Sequence, residues 1–91
     1  MNELISFVTE TSSRDVLCGL RSIGLTEFYQ AQATNYRPEL KFVLADYLDY
    51  QGETYIRYNG DLYVVIRTYR TGQELEIVVG RASSEEVELY G

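Results

Sequence analysis

Asp46 with Asp49, and the run Glu85, Glu86 and Glu88, are the groups in this chain whose type and spacing could do chemistry. Paired carboxylates can hold a divalent cation or pass a proton as general acid and base. The interval between Asp46 and Asp49 matches no calcium-binding loop, so these residues read as a turn and a solvated tail. The chain has no histidine. That removes the commonest general base, any Ser-His-Asp site and any His-containing metal site. Cys18, the one cysteine, has no imidazole to activate it and reads as a small buried hydrophobe. A single cysteine also allows no intrachain disulfide, which suits a reducing compartment. No P-loop and no glycine-rich dinucleotide fingerprint is present. No catalytic residue, metal ligand or cofactor site is therefore expected, and the chain does not read as an enzyme.

Charge narrows the partners. The net charge is −6, and the cations Arg14, Arg21, Arg37, Lys41, Arg57, Arg67, Arg70 and Arg81 are scattered. Gripping nucleic acid takes clustered Lys and Arg that displace counterions from phosphates, and no such cluster is visible. An acidic surface does let DNA pass nearby without sticking. The N-terminus lacks a signal-peptide pattern, and no apolar run reaches the ~20 residues that span a bilayer. The expected setting is the cytoplasm, or a particle assembled there, with no membrane.

Tyrosine is the other conspicuous group. Tyr47, Tyr50, Tyr55, Tyr58, Tyr63 and Tyr69 gather around one stretch of chain. They suit cross-strand packing on one face and an interface on the other. A base-stacking platform would need a basic groove beside it.

The elements that must position these groups are strands. Apolar residues alternate over 4–9, 15–23, 40–46, 54–58, 62–69 and 75–79. In the second strand Val16, Cys18, Leu20 and Ser22 share one face. In the third, Leu40, Phe42 and Leu44 alternate with Lys41, Val43 and Ala45. Leu62, Val64, Ile66 and Thr68 should point one way, and Tyr63, Val65, Arg67 and Tyr69 the other. Leu75, Ile77 and Val79 should face inward, with Glu74, Glu76 and Val78 outward. Asn59-Gly60 is the clearest local signal, because a type I′ hairpin needs two residues that tolerate positive φ. Between Leu25 and Tyr36 the β pattern stops. That stretch reads either as a helix from Glu27, capped by Thr26 and with Phe28, Ala31 and Gln32 on one face, or as an ordered loop. Pro38 ends it and biases Arg37 towards extended backbone. The acidic tail of about 82–91 should fray. The chain is one all-β domain over 1–91, with five or six short antiparallel strands closed as a small barrel or packed as a sandwich.

The order of segments carries more than any one of them. Glu27-Phe28-Tyr29 with Ala31 is followed by Arg37-Pro38-Glu39. Tyr50 with Gly52-Glu53, Tyr58-Asn59-Gly60 and Arg67-Thr68-Tyr69-Arg70 come next. From Val16 to Gly80 this series resembles the head-closure proteins of long-tailed bacteriophages, the small head–tail connector or stopper proteins. The family often places a glycine between its EFY and RPE segments. This chain reads Ala33-Thr34-Asn35-Tyr36 there, and Asn35 is a residue that tolerates the left-handed conformation.

The resemblance implies a small antiparallel β-barrel with a long segment, helix or loop, between strands 2 and 3. It implies a virion structural protein that joins the neck below the portal or head–tail adaptor after DNA packaging. There it would form a ring of the portal's symmetry, twelve-fold, close the DNA exit channel and offer a docking surface to the tail-completion protein. DNA would be held without sequence-specific contacts. Partner or channel contacts are expected within 25–38, at Thr26, Glu27, Phe28, Tyr29, Gln32, Asn35, Tyr36 and Arg37. A helix that merely caps the barrel is the alternative for that segment. Intersubunit contacts are expected at Arg57, Arg67 and Arg70, paired with Glu39, Glu53 or Glu76. Asn59 and Gly60 serve as a structural turn. A tail terminator or other neck-completion protein, and a non-virion regulatory binding module, are the competing functions.

Overall fold

A computed structural model describes residues 2–24 and 37–90. Alternating apolar residues make six strands: β1 (Glu3–Val8), β2 (Ser13–Arg21), β3 (Pro38–Leu44), β4 (Tyr55–Tyr58), β5 (Asp61–Thr71) and β6 (Glu74–Arg81). They close into one antiparallel barrel in the order β1-β2-β3-β6-β5-β4. Closure gives each described strand a neighbour on both sides, which limits the sheet edge open to other chains. A 3-10 turn (Tyr47–Asp49) lies between β3 and β4, capped by the Asp46 carboxylate on the Leu48 N–H.

The core is the inner face of the barrel. Ile5, Phe7, Cys18, Phe42, Leu44, Ile56, Tyr63, Leu75, Ile77 and Val79 form one buried cluster. Phe42 meets the edge of Tyr58 at 5.1 Å between ring centres, and Phe7 meets Tyr50 at 5.6 Å. Such offset aromatic contacts add to the gain from burial alone. The hairpin turn has φ of 53° at Asn59 and 85° at Gly60, and it places Tyr58 opposite Asp61. This is the expected two-residue turn, and its twist fixes the β4–β5 register.

Several expectations need correction. Strands β5 and β6 run longer than their apolar runs, and β2 and β3 start two residues earlier. The alternation expected along β5 breaks, because Val65 pairs with Val79 and Arg67 with Val78, which leaves Ile66 as a bulge. Bulges of this kind shift the face of every following side chain. Ahead of the bulge, Leu62, Tyr63 and Val64 are all buried, from opposite sides of the sheet. Val43 and Val78, on the outer side, are as buried as the core, while Leu20 is largely exposed. The acidic tail does not fray: Ser84–Tyr90 is a helix, α1. The expected helix or loop at 25–36, with its Thr26 cap, lies outside the described residues.

Candidate interaction surface

The hairpin register decides what the barrel shows on its outer side around β4. Residues paired across a ladder share a face. Val8 pairs with Tyr55, and Tyr55 with Val64; in the next row Ser6 pairs with Arg57, and Arg57 with Leu62. These rows alternate with the inward Phe7, Ile56 and Tyr63, so they face outward. Yet Val8, Leu62 and Val64 are at most 6% exposed.

Helix α1 lies beside them. β6 ends at Arg81, and the Ala82 N–H then donates to the Leu62 carbonyl at 3.0 Å. Ser83 starts the helix through a reciprocal cap. Its N–H donates to Glu86 Oε1 at 2.9 Å, and the Glu86 N–H donates to Ser83 Oγ at 3.3 Å. This capping box satisfies two donors that the first helical turn would otherwise orphan. Tyr90 stacks on Tyr55 at 4.3 Å and 25°. The Tyr55 hydroxyl donates to Glu86 at 2.6 Å, Arg57 Nη2 donates to the Tyr90 carbonyl at 2.5 Å, and the Tyr90 hydroxyl donates to Glu10 at 3.4 Å. A cleft of about 230 Å³ opens at the start of the helix, lined by Asp61, Leu62, Arg81, Ala82, Ser84 and Val87.

A second polar region crosses the outer side of β2, β3 and β6. Glu76 accepts from Arg21 at 3.0 Å and lies 3.6 Å from the Lys41 ammonium. Arg67 and Tyr69 follow on β5, with the guanidinium 4.6 Å from the ring centre. At one end of the barrel the Arg70 guanidinium sits 3.5 Å from the centre of the Tyr47 ring. Near Phe7, Glu53 accepts from Arg14 at 2.6 Å and from the Gln51 N–H at 2.8 Å. Burial raises the Glu53 pKa, and these hydrogen bonds with the Arg14 charge outweigh it, so the carboxyl lies below its ordinary value.

The residues expected to make contacts are not gathered in one place. Thr26, Glu27, Phe28, Tyr29, Gln32, Asn35 and Tyr36 lie outside the described residues. Arg37 is exposed just ahead of β3, and its carbonyl passes so close to Gly80 that a Cβ there would stand 2.4 Å from it. Arg57 lies under α1, Arg67 on the outer side of β5, and Arg70 at the barrel end. The three carboxylates named for them have partners within the chain: Glu39 meets Arg81, Glu53 meets Arg14, and Glu76 meets Arg21 and Lys41. The docked helix itself was missed. Ser83-Ser84-Glu85-Glu86 carries the spacing that signals a capped helix start, and it was hidden by the acidic composition of the tail.

These groups form hydrogen bonds, ion pairs and aromatic contacts. Among the described residues no three His, Cys, Asp or Glu groups are placed to hold a metal ion. Burial pushes the Cys18 thiol up to about 11, with the Glu3 charge adding to the shift. A thiol so placed is protonated at neutral pH and is a poor nucleophile. No family model, curated protein or solved structure matches this chain.

Proposed function

We propose that this chain is a virion structural protein of the bacteriophage neck. It assembles as a ring with the portal's symmetry beneath the portal or adaptor, closes the DNA exit channel after packaging, and presents a surface on which the tail docks. One observation carries the reading. The widest separation in sequence between consecutive strands of the closed barrel lies between Arg21, where β2 ends, and Pro38, where β3 begins. That is the place where the head-closure resemblance puts the segment that meets the channel or adaptor. A closed barrel suits such a role, because it holds its shape while an inserted segment adjusts to a partner. The net charge of −6 supports it as well, since like charge keeps DNA from adhering to a conduit.

The test is the protein content of purified particles from the phage or prophage that encodes the chain. Quantitative mass spectrometry should find it in a ratio near one to one with the portal protein. Its absence from particles would overturn the reading and favour a regulatory module that acts outside the virion.

A further inference from the structure

Helix α1 holds to the barrel along one line. Glu86 and Tyr90, one turn apart, make the contacts with Tyr55, Arg57 and Glu10. No residue of α1 is buried, and on its two flanks Val87 is 43% exposed and Leu89 76%. A helix of seven residues does not persist in water by itself, so the barrel surface keeps it folded. The dependence runs both ways. Val8, Leu62 and Val64 face outward and need cover. Beyond the Ala82–Leu62 hydrogen bond, Ser83 alone joins the helix to the strand that carries it.

We propose that α1 is exchanged between copies of this chain. The helix of one copy seats on the Val8–Tyr55–Val64 row of its neighbour, whose Tyr55, Arg57 and Glu10 receive the incoming Tyr90 and Glu86. The occupant is a second copy because this surface already fits this segment, and exchange remakes the same contacts without any new complementary surface. Opening at the helix leaves every barrel ladder intact, so it is a local event and not global unfolding. The closed and exchanged forms differ in what sets the concentration of the helix. Within one chain a short tether supplies an effective concentration in the millimolar range, on the order of 1 mM. Copies crowded on a common template reach that range, and dilute copies do not. Exchange would turn the Arg57–Tyr90 bond into the intersubunit contact expected of Arg57. It would also place Val87 and Leu89 between neighbouring barrels. The inference stands on the geometry of α1 and does not rest on the neck reading.

The full-length Tyr55→Cys/Tyr90→Cys variant tests it, oxidised at protein concentrations from about 10 μM to about 1 mM, the range that brackets the tether. Buried Cys18 stays out of the reaction, and the single-cysteine variants serve as controls. Covalent dimers or higher ladders on a non-reducing gel, rising in yield with concentration, are expected. Covalent monomer alone at every concentration would overturn the proposal. Sedimentation of the wild type beside Tyr90→Ala covers the case in which the double variant misfolds. The wild type should associate at least tenfold more tightly, with the barrel's circular dichroism the same in both. Equal sedimentation of the two would overturn the exchange.

Discussion

Tyr55 and Tyr90 lie face to face at 4.3 Å, one on the outer side of β4 and the other at the last turn of a helix that follows β6. The stack joins two parts of the chain that the apolar pattern leaves unconnected. Aromatic pairs of this geometry contribute about 0.5–1.5 kcal/mol beyond the area they bury. A double-mutant cycle of Tyr55→Ala and Tyr90→Ala, read by urea unfolding, should return a coupling energy in that range. Additive effects would mean that the stack contributes nothing.

Gly80 is fixed by crowding. A Cβ there would stand 2.4 Å from the Arg37 carbonyl oxygen and 3.0 Å from Ile66 Cδ1. Backbone cannot give way as a flexible side chain can, so Gly80→Ala should cost about 1–3 kcal/mol, the usual range for overpacking. Gly19 is the control, since a Cβ there meets nothing nearer than 3.9 Å. Gly19→Ala should change stability by less than about 0.5 kcal/mol in the same urea titration.

Glu53 gives the fold a defined acid sensitivity. Its folded pKa lies below the ordinary value, where Arg14 and the Gln51 N–H hold the carboxylate. A depressed pKa contributes stability that is full above the unfolded value and is lost as pH falls through the folded one. Stability should therefore decline below the ordinary carboxylate range. Glu53→Gln should flatten that part of the curve and lower stability at pH 7 by about 1–3 kcal/mol, as for other hydrogen bonds to charged groups. Unchanged pH dependence in this variant would remove the Arg14–Glu53 pair from the explanation.

Cys18 should behave as a core residue. Its thiol is buried, and burial raises its pKa to about 11. A thiol-specific disulfide reagent at pH 8 should react only after denaturant is added. Reaction in native buffer on the timescale of an exposed thiol would place Cys18 outside the core.

Much of the barrel was legible because its signals are local. Asn59-Gly60 specifies a turn through the φ values these two residues tolerate, and the register of Tyr55 against Val64 follows from it. Leu75, Ile77 and Val79 alternate cleanly and do face the core. The errors come from relations between strands. Ile66 bulges where Gly80, on the paired strand, has no side chain to compete with it. Val78 reads as a solvent-facing position. In the ladder it sits between Lys41 and Arg67, whose long aliphatic stems flank it. The acidic composition of 82–91 suggested a solvated tail, whereas the Ser83–Glu86 cap and the Tyr90 stack make that segment part of the surface. Of the expected contact residues, Arg57 gains a definite role under α1, and the sequence offered no sign of it because Tyr90 is far away along the chain.

The most direct test of the neck assignment is electron microscopy of particles made without this protein. Heads that have lost their DNA, beside finished tails of normal length that remain unattached, are the expected result. Intact DNA-filled heads joined to tails of aberrant length would point to a tail terminator and contradict it, and normal particles would contradict any role in the neck.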